Sequence, residues 1–362
     1  MKKFRFLLAG LVTAGMLTLA GCGGGGGGGG GGGSEPTVTA TTFNMIELAG
    51  FNGNFSAGVA INDGGLAVGF SDNGTSIRGA KWLVTDASPV AVALDPVVGN
   101  SYSAAYGVNA DGIAVGESGV TVTATPDANT VAVYWPAGSI TPTELSTIGL
   151  LPGGASAAFS IKTDGKIVGE AVNDADGNTV AVYWASPTAD PLILDNLTGG
   201  NFSSAYFIGA DGRIVGEAEG SDSNTQAVVW LPALAAGYDD PIALAPVDNQ
   251  RSSIALGVDN IGRIVGEAEL NTGVVQGVVW NANGSVAKNL GANTSLQAIN
   301  DSSRMVGYNQ ALSGSDISSI WSLANILDTK SLVGTFSQAY GINAGNQVVG
   351  VSGNQAFAAL PQ

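Results

Sequence analysis

Four glutamates recur at one place in this chain: Glu117, Glu170, Glu217 and Glu267 each follow directly on a Val-Gly pair. Phe70, Tyr308 and Val351 stand there after three more Val-Gly pairs of the same regular series, at Gly69, Gly307 and Gly350. If the segments that carry them lie side by side, the four carboxylates form an acidic crescent at one rim, joined by Glu219 and Glu269. A crescent of that kind suits a cation or a basic partner. It serves as well as a set of solvated charges at the starts of loops, which is the simpler use. Asp174 and Asp176 form a second oxygen-rich group in the run Asn173–Asn178, where close carboxylates suit a hard cation such as calcium. That loop lacks the downstream bidentate Glu, so a plain polar loop accounts for it; calcium is the one cofactor left open.

Other chemistry is restricted by composition. The chain has no histidine and a single cysteine, Cys22, which excludes His-based nucleophile pairs and soft-metal sites. Paired carboxylates serve glycosidases without histidine, so a carboxylate-based glycosidase or lyase stays as the alternative to a binding or scaffold role. No repeated unit departs sharply from the others in its polar residues, which counts against a catalytic pocket, and no catalytic residue is assigned. Asp63, Asp111, Asp164 and Asp211 each precede Gly at one recurring turn; Gly accepts positive φ there and Asp bonds to local backbone.

The elements that position these residues are repeats. The glycines of the Val-Gly pairs, Gly69, Gly116, Gly169, Gly216, Gly266, Gly307 and Gly350, recur at about 47 residues, a period of propeller blades. Each unit reads as four strands. In the second, these are 103–109, 113–117, 131–135 and a short strand around 143–145, with Asp111-Gly112 as the first turn. No stretch beyond the leader has a sustained 3.6-residue apolar period, so almost no helix is predicted. Blades crowd at the axis and spread with radius. Inner strands therefore call for small residues, such as Ser156-Ala157-Ala158, and outer strands for large ones. All six tryptophans, Trp82, Trp135, Trp184, Trp230, Trp280 and Trp321, fall at one point of the unit, where core packing accounts for them.

The ends of the array predict closure. The last unit stops after a third strand at 355–360, while 44–48 precedes the first inner strand as an orphan fourth. Pairing the two completes a seventh blade and removes exposed sheet edges. The predicted fold is all-β: a seven-bladed β-propeller of four-stranded blades over 41–362, closed by an N-terminal strand joining the last blade.

The first 21 residues read as a signal peptide, with Lys2, Lys3 and Arg5 before an apolar core too short to span a bilayer comfortably. Leu19-Ala20-Gly21-Cys22 resembles the bacterial lipoprotein box, which implies acylation of Cys22 and a membrane held through that lipid. Gly23 follows the cysteine in place of the Asp that favours inner-membrane retention, so the resemblance implies an outer-membrane lipoprotein. Residues 22–40, with eleven consecutive glycines, form a flexible tether with a reach on the order of 20 Å. Cleavage after Gly21 removes three basic residues and no acid. The remaining 10 Lys+Arg against 29 Asp+Glu give −19, which argues against nucleic acid and against electrostatic binding to anionic lipid.

Leu150–Ala158 followed by Lys166-Ile167-Val168-Gly169 resembles the bacterial HAF extracellular repeat, named for a His-Ala-Phe tripeptide after its Val-Gly pair. Gln355-Ala356-Phe357 takes that place here, with Val180–Trp184 a looser version, so any role of the histidine is absent. The resemblance spans about residues 41–360. It implies an extracellular repeat protein of the bacterial envelope and carries no reaction. Taken with the leader, it points to a binding or scaffold module for a protein or glycan partner, with specificity in the loops between repeats.

Overall fold

The computed structural model describes residues 42–51, 55–120, 130–233, 237–310, 315–323, 325–332 and 337–362. The expected signal peptide, Cys22 and the glycine run lie outside them. Among the described residues there are 28 strands in seven four-stranded antiparallel sheets, and no helix. Blade two, at Tyr102–Val108, Ala114–Gly119, Val131–Trp135 and Thr143–Glu144, agrees with the sequence reading to within a residue or two at each end. First strands of successive blades touch all the way round, the seventh meeting the first.

The predicted clasp is present. Phe43–Leu48 pairs antiparallel with Gln355–Pro361, from Phe43 opposite Pro361 to Leu48 opposite Ala356, and becomes the outermost strand of blade seven. Leu48 is fully buried. One hydrophobic cluster surrounds the axis and seven more lie between blades. Each tryptophan belongs to a different inter-blade cluster, which confirms the packing role expected of it. The cluster between blades six and seven holds Phe357 and no tryptophan. Ala359 stands at the register position where blade five has Trp280.

Three sets of hydrogen bonds run between blades, and none is visible in residue size alone. The first-strand Ser or Thr of every blade accepts the backbone N–H of the preceding blade's third strand. These bonds, from Gly79 N to Ser103 Oγ through Ala356 N to Ser56 Oγ, measure 2.8 to 3.0 Å. The small inner residues thus hold a directed polar contact as well as saving space. Five tryptophans donate Nε1–H to the carbonyl just past the preceding blade's outer strand, as Trp184 does to Ser146 O at 2.9 Å. At the turns, Asn62 Nδ2 donates to Asn109 O, Asn109 to Lys162 O, Asn300 to Asn343 O and Asn343 to Asn62 O. Lys162 Nζ, Arg213 Nη1 and Asn260 N bridge the three remaining gaps.

The Val-Gly pair has a geometric cause. In every blade the register slips at the fourth residue of the repeated inner-strand unit, between Ala105 and Gly107 for example, leaving Tyr106 as an extra residue. The same β-bulge falls at Val59, Phe159, Tyr206, Leu256, Gln297 and Tyr340. It pushes the carbonyl of the second residue toward the paired glycine. A Cβ on Gly116 would lie 2.0 Å from Ala104 O, and the other six Val-Gly glycines meet the same obstacle. A bulge also re-aims a side chain. Inner strands are therefore small only in their first residues; the fourth position is mostly large and lines the axis, which corrects the size rule drawn from the sequence.

Candidate functional site

The axis holds a cavity of about 1180 Å³, lined by residues from all seven inner strands, the turns that follow them, and second-strand and third-strand residues of blades five to seven. The bulged residues form its wall. Tyr106, Phe159 and Tyr206 make a continuous aromatic row on the side of blades two to four, with ring centroids 5.7 and 5.4 Å apart. Blades five to seven contribute a polar side. There Gln297 Nε2 donates to Glu267 Oε1 at 2.8 Å, and Gln338 Nε2 to Asp316 Oδ2 at 2.5 Å. Tyr340 donates its hydroxyl to Gln338 Oε1.

The repeated glutamates are not at a rim. Each is the fourth residue of its second strand, and Glu117, Glu170, Glu217 and Glu267 are only 1, 2, 8 and 3% exposed. Pairing explains this: Glu117 lies opposite Ala104, and Glu217 opposite Ser204, on the face that the inner strand turns to the axis. Solvated loop starts are thereby replaced by carboxylates packed behind the aromatic row. Tyr102 and Tyr106 donate to Glu117 Oε1 at 2.7 and 2.9 Å, Tyr206 to Glu217 Oε1 at 2.8 Å, and Ser295 to Glu267 Oε1 at 2.6 Å. Of the four, Glu267 alone is among the residues that line the cavity. Glu219 and Glu269 sit two residues on and half-buried, where Glu219 accepts from Asn201 N and Glu269 pairs with Arg251 at 3.4 Å.

Burial is the main reason that the Tyr206 phenol is pushed well above its usual range, and the charges of Glu217 and Glu170 push the same way. It stays protonated and donates. Tyr340 is raised in the same direction by burial and by its neighbours Tyr308 and Asp316. Burial raises the Asp316 carboxyl, while hydrogen bonds from Gln338 and Gln310 oppose that shift.

The remaining candidates stay apart from this site. Asp174 and Asp176 lie on an exposed turn, where Asp176 Oδ1 accepts from Asn178 N at 3.0 Å. Among the described residues no three His, Cys, Asp or Glu side chains converge on a metal position. Asp63, Asp111, Asp164 and Asp211 are turn residues at the mouth, with positive φ at Gly65, Gly112, Gly165 and Gly212. Asp164 pairs with Lys166 at 2.7 Å and Asp211 with Arg213 at 2.7 Å.

Sequence reasoning missed the bulged ring and the polar groups Gln297, Gln338 and Asp316. A signal existed. Aligned on Ser-Ala-Ala, the fourth inner position reads Val, Tyr, Phe, Tyr, Leu, Gln, Tyr, while the first is Ser in six units and Thr in the other. Blades six and seven also depart from the others in polar residues at the axis, contrary to the uniformity read from the strings.

No family model and no curated protein matches the chain. Solved structures match it in fold. A streptogramin B lyase aligns with TM-score 0.51 at 11% identity over 88% of this chain and 98% of its own. The WD40 β-propeller domain of Doa1 aligns with TM-score 0.50 at 14% identity over 89% and 97%. A puromycin hydrolase aligns with TM-score 0.57 at 11% identity over 84% of this chain and 52% of its own, so the chain spans about half of that enzyme. At such identities the propeller is what is shared. Proteins of varied function use it.

Proposed function

We propose that this chain is a lipoprotein of the bacterial envelope, of the HAF-repeat type, held at the outer membrane through Cys22 and presenting its propeller as a binding module. Its ligand enters the axial cavity. The observation that carries this reading is where the repeat varies. The Ser, Trp and Gly positions that build the ring barely change, whereas the bulged position, which faces the cavity, carries five different residue types in seven blades. Scaffold positions repeat because their packing problem repeats; a ligand has no sevenfold symmetry to match. The lipoprotein part is supported by the Leu19–Cys22 box and the glycine run. The position of Phe43–Leu48 as the outermost strand of blade seven supports an attachment at the perimeter, away from the axis.

Two measurements on the full chain test this. Labelled palmitate is expected to mark the wild type and to leave Cys22→Ser unmarked and released from the membrane fraction; equal labelling would refute the anchor. A thermal-shift screen of envelope glycans, peptides and small metabolites is expected to give ligands that Val59→Phe together with Leu256→Phe exclude. These changes add at the axis the side chain blade three already has as Phe159. Ligands indifferent to them would remove the axial site, and turnover of a glycan would transfer the reading to a carboxylate enzyme.

A further inference from the structure

We infer that the axial cavity selects an organic cation, an amine or quaternary ammonium group, held against the aromatic row within the field of Glu267 and Asp316. The inference rests on the reading of the axis as the binding site and names its ligand class.

Charge is the first argument. Among the described residues, five of the six charged side chains lining the cavity are carboxylates: Asp63, Asp164, Glu267, Asp301 and Asp316. The sixth, Lys162, is turned to the ring itself, donating to Ala210 O at 3.0 Å and pairing with Asp164 at 3.3 Å. Glu117, Glu170 and Glu217 lie buried close behind the wall. A concave site with low-dielectric walls and one sign of charge focuses its field and enriches the opposite ion. Anions are rejected.

Donor accounting separates a cation from a neutral, hydroxyl-rich ligand, which an aromatic cavity would otherwise suit as well. A sugar needs donors from the protein as well as acceptors. The donors on the bulged residues and on Gln338 are engaged internally: Tyr106 to Glu117, Tyr206 to Glu217, Tyr340 to Gln338, Gln297 to Glu267 and Gln338 to Asp316. An ammonium group brings only donors and asks for carboxylates and ring faces. Phenols that donate to carboxylates are polarised toward electron-rich rings, which strengthens their attraction for a cation. The cavity exceeds a lone ammonium in volume, so the cationic group is one end of a larger molecule.

The test uses choline and its uncharged carbon isostere, 3,3-dimethylbutan-1-ol, titrated calorimetrically into the full chain in detergent. Choline is expected to bind about tenfold or more tightly than the isostere, and to weaken as salt rises. Phe159→Leu is expected to weaken choline severalfold. Glu267→Gln, which keeps an acceptor for Ser295 and Gln297, is expected to weaken choline and leave the isostere unchanged. Equal binding of the two probes, or binding of neither, overturns the inference. If glucose binds instead and Val59→Phe blocks it, the axial site stands and the cationic class falls. If no probe binds and no screened ligand responds to Val59→Phe, both readings fall together.

Discussion

A side chain on Gly216 would place its Cβ 2.0 Å from the carbonyl oxygen of Ser204. That one relationship links the most regular mark in the sequence to the most variable feature of the structure. The bulge that drives the Ser204 carbonyl toward Gly216 is the bulge that leaves Tyr206 at the axis. Gly216→Ala must therefore move backbone, since the obstacle is not a flexible side chain. It is expected to cost about 3 kcal/mol or more in urea denaturation. A midpoint equal to wild type would show that the bulge relaxes freely.

Ser156→Ala removes the acceptor for Ala132 N–H, a 2.9 Å bond in which Ser156 is 1% exposed. The N–H is left buried without its partner, at a cost of about 1–3 kcal/mol. Ser156→Thr keeps the hydroxyl and is expected to recover part of the loss in thermal melts, as blade six already uses Thr294 in this role.

Trp184→Ala empties a fully buried site between blades two and three, with an expected loss of roughly 3–5 kcal/mol. Trp184→Phe separates packing from polarity, because it keeps an aromatic ring and deletes the bond to Ser146 O. Chemical denaturation should place it between the wild type and the alanine variant.

Deletion of residues 41–49 strips the outermost strand from Gln355–Pro361 and removes the Ala49 carbonyl that accepts from Trp82 Nε1 at 2.9 Å. It exposes a sheet edge and opens the cluster between blades seven and one. The truncated protein is expected to melt far below wild type and to self-associate in size-exclusion chromatography; a monomer of unchanged stability would disprove closure by the clasp.

Asp316 gives a dependence on pH. Its carboxyl is raised by burial, so the folded chain holds that proton where the unfolded chain has lost it. Its contribution is most favourable at and below the unfolded pKa, about 3.9, and declines as pH rises through the raised value. Asp316→Asn lacks this decline. Its melting temperature relative to wild type is expected to rise between pH 4 and pH 7, and a constant difference across that range would exclude the effect.

Architecture was legible in the string because it rests on repetition and on counts. Seven Val-Gly pairs and six tryptophans, each set at one phase of the unit, and a fourth strand displaced to the N-terminus determine a closed seven-bladed ring, whatever the atomic detail. The direction in which side chains point was not legible, because one inserted residue per inner strand shifts the pairing locally, and its traces in the string, a varying fourth position and an unvarying glycine, mark a bulge only once the strand pairing is known. Glu117 and its counterparts read as strand-end charges because each directly follows its Val-Gly pair, where the second strand was expected to stop. Only the packed blades, by setting that strand face against the axis, turned them into buried carboxylates, Glu117 and Glu217 under tyrosine hydroxyls and Glu267 under Ser295 and Gln297. The tertiary structure likewise decided that Gln297 meets Glu267 and Gln338 meets Asp316, since residues tens of positions apart converge only when neighbouring blades pack.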